Sequence, residues 1–307
     1  MANPAASFEP YRRRLLGLAY RMLGSMADAE DAVQETYLRW HGADRDKVSD
    51  PRAFLMTTTA RICLDMLTSA RARREEYVGP WLPEPVVDTA ALAPDSHTEV
   101  AEDLSIALLL TLDRLSPLER ASFLLHDVFE FSFGEVAAAL ERSEAACRQL
   151  AARARTHVSA SRPRGATAPA RSSEIDAKHA QLISAFAAAT QSGDVDALKQ
   201  MLANDVRVVT DGGGKVAAAL DVVEGADHAG RFLVDVTRKR AGAWWRDDFT
   251  VRFATINGLP GVIVEAPEGP VQTAAFEIEG DVIRALYVVR NTDKLRHLAA
   301  VPMPHDR

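Results

Sequence analysis

Apolar residues recur every three or four positions through the first half of this chain and every second position near its end. The first rhythm predicts amphipathic helices and the second predicts half-buried strands. Phe8, Leu15, Leu18, Ala19, Met22 and Leu23 make one stripe, which Gly24 closes as a C-terminal cap. Met26, Ala29, Val33, Tyr37 and Trp40 make the next, and Asp28, Asp31, Gln34 and Glu35 line another side of the same helix. A polar loop from His41 to Ser49 leads to Asp50 and Pro51, an N-cap followed by a proline at the first helical position. The long helix they start turns Phe54, Leu55, Ile62 and Met66 inward. It carries Arg52 and Arg61 and becomes strongly basic at Arg71, Arg73 and Arg74.

Prolines interrupt the rhythm between Val78 and Ser96, where Trp81, Leu82, Pro83, Glu84 and Pro85 spell a segment too apolar to stay in water, so it is expected to dock on a neighbouring surface. His97 to Leu115 reads as one helix, and Ser116, Pro117 and Glu119 form a capping box that opens the next. Ser132 and Glu135 form another box, ahead of Phe133, Val136, Ala137 and Leu140. A tight connection from Glu141 to Ser143 precedes a helix with Cys147, Leu150, Ala151, Ala154 and Val158 on its apolar side. Such a pair suits a helix-turn-helix. Glu144, Ala145, Arg148 and Gln149, then Arg153 and Arg155, face outward as base-reading and phosphate-reaching residues would. An ordinary helical hairpin with a solvated basic face has the same pattern.

Residues 162–172 form a Pro/Ala/Ser/Arg tether. Ser173 then caps a helix ending near Thr190, and a short helix follows from Asp194 to Leu202. Beyond it Phe249, Val251 and Phe253 alternate with polar residues, Val262 and Val264 continue, and Val271–Ile278 turns through Glu279-Gly280-Asp281 into Val282–Val289. Helices followed by a curled antiparallel sheet predict an α+β domain. The glycines between Asp211 and Lys215 read as a tight turn rather than a phosphate cradle, since they lack Walker spacing.

The length of 307 residues fits about two domains, with ample chain for separate cores. With 36 basic against 43 acidic residues the formal charge is -7, so any nucleic-acid contact is local or assisted by a partner. Cys63 and Cys147 sit on apolar helix faces without metal-ligand spacing, which implies small buried thiols in a reducing compartment, and no cofactor. There is neither a membrane-length apolar run nor a signal-peptide core at Met1 to Arg14, so the expected location is cytoplasmic, with no membrane partner.

The run SMADAEDAVQETYLRWH followed by DPRAFLMTTTARICLDMLTSARARR resembles region two of extracytoplasmic-function sigma factors, and the helix-turn-helix unit resembles their region four. The resemblance implies that Asp28, Glu30, Asp31, Gln34 and Glu35 contact the clamp of the large subunit of core RNA polymerase. It implies that Arg45, Lys47, Thr57, Arg61, Arg71, Arg73 and Arg74 take the melted minus-ten strand. Ser143, Glu144, Arg148, Gln149, Arg153 and Arg155 would then take the minus-thirty-five duplex of promoter DNA. Where many relatives carry asparagine, this chain has Arg61.

The last domain resembles the SnoaL-like (nuclear transport factor 2-like) cone carried by a sigma subgroup with W-L-P-E-P in its linker, D-G-G-G-K in the extension and N-P-D-K-L near its end. Here Trp81 to Pro85 and Asp211 to Lys215 are intact, and Asn291, Thr292, Asp293, Lys294 and Leu295 replace the proline by threonine. The resemblance implies cis regulation through Trp81, Leu82, Pro83, Glu84, Pro85, Asp211, Lys215, Asn291, Asp293 and Lys294, and leaves an unidentified small-molecule ligand open.

The expected organisation is multidomain: two all-α domains at residues 1–77 and 99–161, a linker at 78–98, the tether, and the α+β cone at 173–307. The expected function is a non-enzymatic initiation factor. Competing readings are a polymerase-independent regulator, or a fusion with a SnoaL-like cyclase or isomerase recruiting Asp211, His228, Asp235 and Trp244.

Overall fold

The computed structural model describes residues 4–75, 77–87, 92, 104–161, 173–240 and 248–300. They fall into two compact units, one of residues 1–76 and 88–166, the other of residues 77–87 and 167–307. The helical halves that the sequence divides thus share one unit, and the WLPEP linker belongs with the sheet.

In the helical unit, α1 (Pro4–Leu23) ends at Gly24, whose φ of 70° provides the left-handed cap. The Ser25 hydroxyl accepts the Asp28 amide at 3.1 Å and starts α2 (Met26–Gly42). Asp50 accepts the Ala53 amide at 3.1 Å and starts α3 (Pro51–Glu75). Phe8, Leu18, Met22, Val33, Trp40, Leu55 and Cys63 are buried among these three helices.

The helix expected from His97 to Leu115 is shorter. Ser105 leaves helical geometry and its hydroxyl accepts the Leu108 amide at 3.2 Å, so α4 runs only Ile106–Asp113. Residues 97–103 lie outside the described residues. The Ser116/Glu119 box starts α5 (Pro117–Phe123), and a π-helical turn, Leu124–Val128, follows it. The Ser132/Glu135 box then starts α6 (Phe133–Leu140). Glu141 turns the chain at φ 54°, and the Ser143 hydroxyl accepts the Ala146 amide at 3.2 Å to start α7 (Glu144–Ser161). Val136, Leu140, Cys147, Ala151, Ala154 and Val158 bury the seam between α6, α7 and their neighbours.

The sheet unit contains α8 (Ser173–Ser192), α9 (Val195–Met201), β1 (Leu202–Asp211), β2 (Val223–Glu224), α10 (Ala226–Arg240), β3 (Thr250–Ile256), β4 (Leu259–Ala266), β5 (Gly269–Glu279) and β6 (Val282–Val289), then a 3-10 segment, Thr292–Ala300. The six strands lie in the order β2-β1-β6-β5-β4-β3. Contrary to the antiparallel expectation the sheet is mixed: β1 runs parallel to β6, with Val208 opposite Leu286 and Asp211 opposite Val289. Ile183 and Phe186 of α8, Leu198 of α9 and Val234 of α10 pack against Val206, Val208, Phe276, Ile283 and Leu286, forming the helix-on-sheet core of an α+β domain. The alternation at β3 marks a strand, but an edge strand whose Val251 and Phe253 are exposed.

Candidate promoter and polymerase surfaces, and the linker node

The spacing of α2 puts Ala27, Glu30, Asp31, Gln34, Leu38 and His41 on one exposed stripe. Asp28 is half-buried near the N-terminus, and Glu35 pairs with Arg39 at 3.0 Å. Four of the five residues assigned to polymerase thus share an accessible face or its margin. Sequence reasoning overlooked Leu38, which at 57% exposure is the large apolar member of that stripe.

The minus-ten candidates divide. Arg45 and Lys47 flank a short 3-10 turn, Arg45–Lys47, with Lys47 paired to Asp44 at 2.8 Å. Thr57 is half-buried on α3. The side chains of Arg71, Arg73 and Arg74 lie outside the described residues. Arg61 is turned to the helix-turn-helix: its Nε donates to the Ala139 carbonyl at 2.7 Å, its Nη2 to the Ala138 carbonyl at 2.8 Å, and it meets Glu141 at 3.2 Å. It therefore caps the C-terminus of α6, where unpaired carbonyls favour a cation. Arg52 extends the join by donating to the Phe129 carbonyl at 2.6 Å, and Arg120 joins α5 to the Met22 carbonyl and to Asp113 at 3.2 Å.

On the helix-turn-helix, Ser143, Glu144, Arg148, Gln149 and Arg153 are exposed and Arg155 is half-buried. Each arginine already has an acidic partner: Arg148 with Glu144 at 2.5 Å, Arg153 with Glu119 at 2.7 Å, and Arg155 with Asp127 at 2.7 Å. The Arg153 hydrogen bond holds the Glu119 carboxyl below its usual range, helped by the Ser116 hydroxyl. Phosphate must compete with these carboxylates. Asp127 and His126 sit in the π-helical turn, which no periodicity announces.

In the sheet unit the parallel pairing of β1 and β6 brings two distant motifs to one end of the sheet. The amides of Arg290 and Asn291 both donate to the Asp211 carbonyl, at 2.8 and 3.1 Å. The glycines make the tight turn expected. Gly213 and Gly214 take φ of 58° and 69°, and a Cβ on Gly213 would stand 2.3 Å from the Asn291 amide nitrogen and 2.8 Å from the Tyr77 hydroxyl. Lys215 pairs with Asp293, whose carboxyl it holds below the usual range.

The linker lies on this end. Asp211, with no exposed surface, accepts from the Tyr77 hydroxyl at 2.5 Å, the Leu82 amide at 2.8 Å and the Lys294 ammonium at 2.7 Å. Lys294 is 7% exposed; it also donates to the Leu82 carbonyl at 2.5 Å and lies 4.4 Å from the centre of the Trp81 ring. The Asn291 amide donates to the Tyr77 hydroxyl at 2.9 Å. Burial, reinforced by the Asp211 carboxylate, pushes the Tyr77 phenol up. Pro85 and Val86 are held by His297 at 2.7 Å and by Asn257, and Glu84 is buried beside His297 at 3.9 Å. Tyr77, Asn257 and His297 escaped sequence reasoning because their partners are main-chain groups or residues far along the chain.

The four residues of the enzymatic alternative are engaged elsewhere, exposed or undescribed. Asp211 is consumed by the linker, His228 and Asp235 are exposed on α10, and Trp244 lies outside the described residues. Among the described residues no cluster of His, Cys, Asp and Glu is arranged for a metal, and no helix is long and apolar enough to cross a membrane.

An acidic-striped three-helix region joined to a helix-turn-helix is the layout of a promoter-recognition factor of the sigma-70 class. Residues 8–73 match the family model for sigma-70 region 2, and residues 105–158 match that for sigma-70 region 4. The extracytoplasmic-function (ECF) RNA polymerase sigma factor SigJ of Mycobacterium tuberculosis is 39% identical over 94% of this chain and 92% of its own length. The probable ECF RNA polymerase sigma factor SigI of the same species is 30% identical, covering 96% of each chain. The crystal structure of M. tuberculosis SigJ matches with a TM-score of 0.69 at 33% identity, over 95% of this chain and 98% of that one. This chain belongs to the ECF RNA polymerase sigma factors.

Proposed function

We propose that α2 docks on the clamp of the large subunit of core RNA polymerase through Asp28, Glu30, Asp31, Gln34 and Glu35. In this reading Arg45, Lys47, Thr57, Arg61, Arg71, Arg73 and Arg74 engage the minus-ten strand. Ser143, Glu144, Arg148, Gln149, Arg153 and Arg155 engage the minus-thirty-five duplex. The factor works in the cytoplasm with the polymerase, catalyses nothing itself, and is regulated in cis by its cone domain through the linker. The exposed polar stripe of α2 carries the polymerase half of this reading.

The Arg61 clasp adds a mechanical requirement. Two elements roughly 25 base pairs apart are separated by about 85 Å at ~3.4 Å per pair. Arg61 and α6 are in hydrogen-bond contact. Region four must release Arg61 before both elements are read, so the described helical unit is a closed form. The linker is the natural lever, because it joins the end of α3 to region four and is itself gripped by Asp211 and Lys294.

The test is reconstitution of the full chain with core polymerase on promoters selected from a random library. Asp31→Lys with Glu35→Lys should abolish assembly and initiation while leaving stability within about 0.5 kcal/mol, since both lie on a solvent face. Undiminished assembly by that variant would remove the clamp assignment.

A further inference from the structure

We infer that Phe133 is a positioning residue for Arg148, holding its guanidinium ready for one base pair of the minus-thirty-five element. The inference rests on the proposed role of Arg148 as a base reader. An arginine that donates two hydrogen bonds to the guanine edge must present its planar fork in one orientation, and a mobile side chain gives up its rotamer freedom to do so. In this structure much of that freedom is already gone. The guanidinium carbon of Arg148 lies over the Phe133 ring, 5.3 Å from its centroid, and Nη2 donates to Glu144 at 2.5 Å.

The ring is itself fixed from a third element. His126, in the π-helical turn, stacks on Phe133 with centroids 3.9 Å apart and planes inclined by 25°. His126 Nδ1 lies 2.7 Å from the Phe131 carbonyl; a carbonyl only accepts, so this nitrogen carries the proton and the imidazole is pinned. A layered series therefore runs from a backbone carbonyl through imidazole and phenyl to the guanidinium of the recognition helix. Phe133 is half-buried, whereas Val136 and Leu140 fill the seam beneath. What the ring adds is a π face for a cation.

The chemistry implies an effect on discrimination rather than on general affinity. Phosphate contacts tolerate a swinging arginine, but a bidentate base contact does not. Full chain assembled with core polymerase would be titrated against duplexes carrying the minus-thirty-five segment selected from a randomised pool, and against its single-base variants. Phe133→Leu should reduce discrimination at one base pair by about two- to fivefold, the range of an exposed cation–π contact, with binding to unrelated duplex unchanged. Phe133→Tyr, which keeps the ring, should restore it. In an Arg148→Ala background Phe133→Leu should add nothing, because the two act on one contact.

Uniform weakening of every duplex, additivity with Arg148→Ala, or unchanged discrimination by Phe133→Leu would each overturn the positioning role while leaving Arg148 a reader. Unchanged base preference in Arg148→Ala itself would refute the reader assignment, and the positioning role with it.

Discussion

In the helical unit the join between region two and region four is made by arginines reaching main-chain carbonyls. In the sheet unit the linker is held by a lysine and an aspartate withdrawn from water. Arg61 is 43% exposed at its side chain, so when it lets go, water takes over both the guanidinium and the carbonyls of Ala138 and Ala139. Asp211 and Lys294 are instead withdrawn from water, at 0% and 7% exposure, and paired at 2.7 Å. The first contact is therefore cheap to open and graded. The second is costly to break from one side and holds or releases as a unit. In the proposed reading, a factor that spreads over two promoter elements uses the first kind of join inside its reading domains, and cis regulation through its linker uses the second.

Lys294→Met gives the largest expected effect. It leaves the Asp211 carboxylate buried with Tyr77 and Leu82 as its donors among the described residues, and removing one partner of a buried pair typically costs about 3 to 5 kcal/mol. Urea unfolding of the sheet unit should show that loss, and limited proteolysis should cut within residues 78–87. Adding Asp211→Asn removes the uncompensated charge and should recover at least about 1 kcal/mol. A loss below about 1 kcal/mol for Lys294→Met alone would erase the contrast between the two joins.

Arg61→Ala comes next. Half-exposed charged hydrogen bonds contribute little beyond water, so the closed helical unit should lose only about 1 kcal/mol, a roughly fivefold shift towards separation of α3 from α6. Fluorophores on α2 and α7 would report it as lower energy transfer. The same variant should lose affinity for single-stranded minus-ten DNA, and that DNA should itself open the parent chain. An unchanged distance distribution in the variant would mean that other contacts hold the unit shut.

Much of this was legible locally. Both capping boxes, the Asp50-Pro51 start and the Gly24 stop declare themselves within four residues, the helix-turn-helix within two adjacent helices, and each forms as written. Ser105 was illegible because its N3 residue is Leu108, so it caps without the acid that completes a box. The parallel pairing of β1 with β6 depends on a register between strands over 70 residues apart, which alternation cannot encode. The motifs DGGGK and NTDKL were visible as strings. That they meet at one sheet end, and that Tyr77 rather than Trp81 donates to Asp211, follows only from that register.

Tyr77→Phe sharpens the linker side of the contrast through pH. Burial and Asp211 raise the folded-state pKa of Tyr77 above its ordinary value of 10.0. A phenol so raised contributes stability that is fully present below pH 10 and falls as pH climbs above it, because the unfolded chain then gives up its proton first. Relative to the parent, Tyr77→Phe should be less stable near neutrality by about 1 kcal/mol for the lost hydrogen bond, and its alkaline decline should be shallower. Parallel declines in the two proteins between pH 10 and the folded-state value would show that the Tyr77 phenol is not held neutral by the node.

Asp127→Asn should have the smallest effect and bears on whether the surface ion pairs of the helical unit are as exchangeable as the Arg61 clasp. Asp127 holds Arg155 at 2.7 Å on the flank of the recognition helix, so phosphate can use that arginine only by displacing a carboxylate. The neutral amide keeps the shape and gives up the charge. Folding stability should move by no more than about 1 kcal/mol, since a pair that water still reaches is worth little. Affinity for duplex of any sequence should rise two- to threefold at low salt, and the advantage should fade as salt screens the freed arginine. Base discrimination should stay the same, because Arg155 reaches phosphate in this reading. An increase confined to one promoter sequence would make Arg155 a base reader instead, and no increase at all would mean that the Asp127 pair is not what restrains it.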